Sequence, residues 1–144
     1  MTVEELYANL MEAWNKRDAK AFEELFILDG DLVGFDGTQM HGQGMIREHL
    51  AKVFTDHPTL PYVYRITGVT QVSTDVAIVR AIAGMVPKGA SEPDPKMHAI
   101  HRLTAVHRGG AYRVALFQNT PAQFHGRPQE VEQMTADLRA AMKP

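Results

Sequence analysis

Asp36 is the carboxylate best placed for chemistry. It follows a short strand-like run, Asp31 to Phe35, and precedes Gly37. A carboxylate at the mouth of an apolar pocket would have a raised pKa and could shuttle protons. The competing role is an ordinary turn-forming aspartate ahead of glycine. Asp31 is better suited to capping or to solvent. Phe35, beside Asp36, would offer a ligand an apolar ring.

Seven histidines invite a metal reading. His98 and His101 are three apart on a strand-like stretch, so they point to opposite faces and cannot share an ion. His41 and His49 straddle a loop and a helix. No HExxH or facial-triad spacing occurs, so no metal site is expected. His49 is read as a partly buried, hydrogen-bonded histidine rather than a base. The chain has no cysteine, which removes thiolate ligands, disulfides and a Cys nucleophile. Only Ser73 and Ser91 exist as serines, both in turns.

Aromatic and thioether residues suggest a wall. Trp14, the sole tryptophan, sits late in an amphipathic segment, and Tyr7 and Tyr64 carry hydroxyls that could reach a ligand oxygen. All three would serve equally as core. Met11, Met40, Met45, Met85 and Met97 fall where an adaptable apolar cavity could be lined, or they fill gaps.

The elements that must position these residues come in a clear order. Thr2 and Glu5 form a capping-box pattern, and Leu6, Leu10, Ala13 and Trp14 follow at helical spacing. Asn15 to Asp18 breaks that helix, and Asp18 caps a second one over Ala19 to Phe26. Asp29-Gly30 turns the chain. A third helix runs from Met45 to about Thr55, closed by Pro58 and Pro61. Strands are expected over Tyr62 to Val72, Val76 to Val86, Met97 to His107 and Tyr112 to Asn119. Pro87 to Pro95 is the most loop-like segment. A C-terminal helix covers Glu130 to Met142, with Val131, Met134, Leu138 and Ala141 on one side. Helices segregated from an antiparallel meander mean α+β.

Gly109-Gly110 is a two-residue hairpin turn, which sets a register. Arg108 faces Ala111, so His107–Tyr112, Ala105–Val114, Leu103–Leu116 and His101–Gln118 share one face. The other face ends in Arg102 and Asn119. One polar pair should lie near a pocket and the other near an interface. His101 with Gln118 is favoured for the pocket, and a slip of one residue would reverse the choice.

Length and charge narrow the class. The 144 residues, with formal net charge -2, fit one domain and no electrostatic partner such as nucleic acid. The acidic start is unlike a signal peptide, no apolar run would span a membrane, and the cytoplasm is the expected compartment.

Three stretches carry a family resemblance. They are Trp14 to Ala19 with Phe22, Leu25 and Phe26; Gly30 to Val33, Asp36-Gly37, Gly42 and the Ile46, His49 and Phe54 helix; and Tyr112 to Pro121, ending Gln-Asn-Thr-Pro. Together they resemble the SgcJ/EcaC-type group of the SnoaL-like, nuclear-transport-factor-2-like (NTF2-like) superfamily, over roughly residues 3 to 125. The resemblance implies a cone: a strongly curved antiparallel sheet wrapped around three N-terminal helices, with a core at about 3–122 and a tail at 123–144 of one SnoaL-like domain. It also implies a pocket at the open end, a homodimer through the outer sheet face and a link to secondary metabolism. Related isomerases place a catalytic Asp where Asp36 stands. The group is often labelled oxidoreductase, but no nicotinamide or flavin fingerprint appears and no cofactor is expected.

The resulting expectation is a small apolar, polyketide-like ligand and a proton-transfer, cyclisation or isomerisation step. Asp36 and His101 are the catalytic candidates. Trp14, Phe35, Tyr64, Gln118 and Asn119 are the binding candidates. The rival readings are a non-catalytic ligand-binding accessory protein and a dimerising domain whose pocket is filled by side chains.

Overall fold

In the computed structural model, which describes residues 1–142, helix α1 spans Val3–Asn15. Its capping box is closed in both directions: Glu5 N–H donates to Thr2 Oγ1 at 3.1 Å and Thr2 N–H to Glu5 Oε1 at 3.1 Å. Leu6, Tyr7, Leu10 and Met11 form its buried stripe. The break at Asn15 is a designed corner. Arg17 takes φ +57, and Asp18 caps α2 (Ala19–Glu24) by accepting from Ala21 N–H at 3.0 Å.

Strand β1 (Phe26–Val33) begins where the second helix was expected to end. Asp29-Gly30 does not end a segment. It sits in a wide bulge: Phe26 pairs with Val114 and Asp31 with Leu116, so residues 27–30 oppose Ala115 alone. Gly30 suits the close approach there, because a Cβ would lie 3.0 Å from the Phe26 ring and 3.1 Å from the Val114 carbonyl, tighter than ordinary contact. The Asp36-Gly37 turn then returns the chain as a short strand, β2 (Gln39–His41), that the sequence pattern did not reveal. Helix α3 follows over Gln43–Asp56, burying Ile46, Leu50 and Phe54.

The meander is β3 (Tyr62–Gln71), β4 (Val76–Met85), β5 (Ala99–Arg108) and β6 (Ala111–Pro121). A single 3-10 turn at Pro95–Met97 precedes β5. The six strands form one curved sheet in the order β2-β1-β6-β5-β4-β3. Every pairing is antiparallel except β1 with β6, which is parallel. Helices α1 to α3 pack on the inner face around Leu103, Ala105, Val79 and Phe117. The expected α+β cone is the fold.

The hairpin register holds only near its turn. His107 faces Tyr112 and Ala105 faces Val114, as expected. Ala115 is then an extra residue, so Leu103 faces Phe117, Arg102 faces Gln118 and His101 faces Asn119. The bulge turns Asn119 inward and leaves Gln118 exposed on the outer face.

Helix α4 (Pro128–Ala141) lies on that outer face. Met134 and Leu138 pack with Ala122 against Val63, Ile82 and Ile100. The chain thus covers part of the surface that the resemblance assigns to a dimer. Val76, Ile78, Thr104, Val106 and Leu116 remain half-buried beyond it.

Candidate functional site

Between α1, α3 and the inner sheet face lies a cavity of about 400 Å³. Its wall is mostly apolar: Trp14 and Met11 from α1, Leu50 and Val53 from α3, Leu32 and Phe35 from β1 and its turn, and Phe117 from β6. Met40, Met85 and Met97 also line it, whereas Met45 is exposed on α3. Four of the five candidate methionines therefore form a flexible thioether wall.

The corner after α1 builds the rim. Trp14 Nε1–H donates to the Leu60 carbonyl at 3.0 Å. Asn15 binds the Tyr62 backbone twice, accepting from its N–H at 2.7 Å and donating to its carbonyl at 3.2 Å. Arg17 donates to the carbonyls of Phe54 and His57 and to Thr59 Oγ1. Trp14 to Arg17 thus clamp the end of α3 and the start of β3 around the opening.

The polar end of the cavity is a directed chain of hydrogen bonds. Asn119 lines the cavity and is 7% exposed. Its Oδ1 lies 3.1 Å from His101 Nε2 and its Nδ2 donates to the Tyr62 hydroxyl at 2.9 Å. Because Oδ1 only accepts, His101 Nε2 carries the proton and Nδ1 accepts. The Tyr7 hydroxyl, 2.8 Å away, therefore donates to Nδ1. The run Tyr7 to His101 to Asn119 to Tyr62 leaves two donor protons unused, the Tyr62 O–H and the second Asn119 Nδ2–H, and both residues border the cavity.

Burial fixes the protonation states. Desolvation lowers the His101 pKa from 6.5 to about 3, against a smaller opposing effect of Asn119, so the imidazole is neutral. Burial raises Tyr62 to about 12 and pushes Tyr7 well above 10. These groups donate and orient; they do not ionise at neutral pH.

The mouth has different chemistry. Asp36 borders the cavity there, exposed to solvent. Its carboxyl is held below the ordinary carboxylate range, by the Thr38 hydroxyl first and then by the Thr38 N–H at 2.9 Å. The expected raised pKa is thus corrected: the site is too wet, and the Thr38 turn satisfies the charge. His49, half-buried on α3, shares this mouth with Asp36.

Among the sequence candidates, Trp14, Phe35, Asp36 and Asn119 line the cavity. His101 stands one hydrogen bond behind the wall. Gln118 is turned away by the bulge. Tyr64 packs edge-on against Tyr7, with ring centroids 5.4 Å apart, and is not among the lining residues. Tyr62 takes its place. It alternates onto the same face as Tyr64, and its position at the strand terminus was the available signal. Among the described residues no group of three His, Asp or Glu side chains is arranged to hold a metal ion, and no helix is long and apolar enough to cross a membrane.

No protein-family model and no curated protein sequence matches the chain. Solved structures do. A domain of unknown function with a cystatin-like fold from Nostoc punctiforme matches with TM-score 0.79 and 16% identity, covering 97% of this chain and 93% of its own. An NTF2-like protein of unknown function from Shewanella oneidensis matches with TM-score 0.63 and 16% identity, over 82% and 95%. The fold is NTF2-like. A ketosteroid isomerase-like protein from Erwinia carotovora atroseptica has the same NTF2-like architecture at TM-score 0.64 and 22% identity, covering 81% of this chain and 91% of its own. At these identities the likeness is one of fold, and the site must carry the function.

Proposed function

We propose that the protein binds a small, mostly apolar, oxygen-bearing molecule in the cavity and catalyses a proton-transfer step on it, such as isomerisation, cyclisation or dehydration. One observation carries this reading: an apolar cavity is bordered by Tyr62, whose hydroxyl is an oriented donor beside the remaining N–H of Asn119, at the end of a hydrogen-bonded chain whose histidine is buried and neutral. Such a donor, fixed before the ligand arrives, stabilises negative charge that develops on an oxygen. The methionine wall tolerates ligands of varied outline, which suits a polyketide-like substrate. Membership of the SgcJ/EcaC-type group and a place in cytoplasmic secondary metabolism belong to the same proposal, supported by the Trp14 to Asp18 and Gln118 to Pro121 stretches. A homodimer through the uncovered outer face belongs to it too.

Asp36 enters as the charge that faces the mouth. The test is ligand identification. Native mass spectrometry of the purified protein, with displacement followed by Trp14 fluorescence, should detect an apolar, oxygen-containing small molecule. Tyr62→Phe should bind it roughly tenfold more weakly while folding normally. An affinity unchanged by that substitution overturns the reading.

A second reading, a non-catalytic carrier, is favoured by Asp36, whose carboxyl is exposed and weakly basic. It expects tight binding without turnover. A cavity packed solid by side chains, the third reading, is inconsistent with about 400 Å³ of open space.

A further inference from the structure

We infer that His49 is the proton-accepting residue of this cavity, acting on a ketone-like ligand whose oxygen rests on Tyr62. The inference rests on the proposed function and assigns the half of the site that Tyr62 leaves open. A donor at one end polarises an oxygen, and a proton transfer then needs an acceptor elsewhere on the wall. The wall offers few. Asn119 and Tyr62 are committed to the hydrogen-bonded chain. The Asp36 carboxylate is occupied by Thr38 and is a poor base. The remaining lining residues with side-chain heteroatoms are Trp14, Thr38, Thr59 and the thioethers, none of which is a base.

His49 is the exception. It lies on α3 beside Leu50 and one turn before Val53, and all three border the cavity. Among the described residues its ring has no hydrogen-bond or ion-pair partner within the protein, unlike His41, His98 and His101. Imidazole is the side chain most used as a general base near neutral pH. The charged group facing it across the mouth is Asp36, which would hold the imidazolium formed when a proton arrives. On its own helix, the neighbouring Arg47 is turned to Glu23 at 3.9 Å.

The step balances without a co-reactant. The His49 lone pair takes a proton from the carbon next to the carbonyl. The C–H electron pair becomes the enolate double bond, and the carbonyl π pair moves onto oxygen, where the Tyr62 O–H donates to it. Once the exposed edge of the imidazolium has traded its proton with solvent, delivery of that solvent proton to the same carbon completes an exchange; delivery to a more distant carbon of a conjugated ligand isomerises it.

The experiment uses β-tetralone, an apolar bicyclic ketone, with the full chain in deuterium oxide. Proton NMR follows loss of the α-protons, and fluorescence of Trp14 follows binding. The wild type should quench on binding and exchange the α-protons faster than buffer. His49→Ala should slow exchange by about a hundredfold or more with binding unchanged, and added imidazole should restore part of it. Asp36→Asn should slow it by only about tenfold or less. Wild-type-like exchange in His49→Ala overturns the assignment. Binding by the wild type without any exchange overturns it too, while leaving the binding reading in place. Absence of binding overturns both.

Discussion

His98 and His101 stand three residues apart, and neither has exposed surface, yet their surroundings differ. His101 faces inward and has partners on both ring nitrogens, Tyr7 and Asn119. His98 faces α4, where Nε2 lies 2.7 Å from Thr135 Oγ1. That hydroxyl already donates to the Val131 carbonyl at 2.9 Å, so Nε2–H donates to it, and Nδ1 is left without a partner. Both pKa values are lowered by desolvation. The completed network ends in a cavity; the incomplete one ends in a helix joint. Burial of a histidine alone therefore says nothing about a site, whereas full pairing that continues to an open space does.

Alanine at the two positions should separate them most. His101→Ala leaves the Tyr7 hydroxyl and the Asn119 carbonyl unpaired inside an apolar core, and should cost about 3 kcal/mol or more in urea unfolding. His98→Ala removes one hydrogen bond to a hydroxyl that keeps another partner, and should cost roughly 1–2 kcal/mol. Equal losses would erase the distinction.

The joint around His98 can be loosened by itself. Leu138 is fully buried against the sheet, and Leu138→Ala should cost about 2–4 kcal/mol. By NMR titration it should also let the His98 imidazole move back up toward its ordinary range, with His101 unchanged. A parallel change in His101 would mean that the two environments are one.

Acid should act in a known direction. In the unfolded chain the His101 imidazole takes up a proton near 6.5, while the folded protein resists until about 3. The stability is whole above about pH 6.5 and falls as pH drops through that window, by roughly 2 kcal/mol on reaching pH 5. Denaturation midpoints across pH should show this slope, and His101→Gln should flatten it. His98 contributes with the same sign.

An effect as small as that of His98→Ala is expected at Gly84. A Cβ there would meet Leu138 Cδ1 at 2.8 Å and His98 Nδ1 at 3.5 Å. Gly84→Ala should cost about 1–2 kcal/mol by crowding the joint, with ligand binding in the cavity intact.

Much of this was legible in the chain. The capping box, the Asp18 cap, the glycine hairpin and the alternating strands each follow from local chemistry, and together they imposed the α+β class. The opposed orientations of His98 and His101 followed from strand geometry alone. What escaped was non-local. The bulge over residues 27–30 reads as a turn at Asp29-Gly30 because its partner strand lies some ninety residues away in sequence. Ala115 carries no mark of being the extra residue, so the inward place went to Gln118 instead of Asn119. Tyr62 and Tyr64 share a face, and contact with Tyr7 of α1, remote in sequence, occupies Tyr64 while Tyr62 lines the cavity. His49 looked ordinary because an empty neighbourhood leaves no trace in the sequence.

The irregularity at Ala115 also describes how this site could be rewritten. Deleting that one alanine would remove the bulge yet leave every later pairing as it is, Leu103 with Phe117 and His101 with Asn119, because those pairs already skip it. Drawing Ala115 into the ladder with no residue lost would instead move each following side chain by one place and present Gln118 where Asn119 now sits. The lining thus depends on the strand keeping one residue out of register, and a loss of chain length at this point is tolerated where a slip is not.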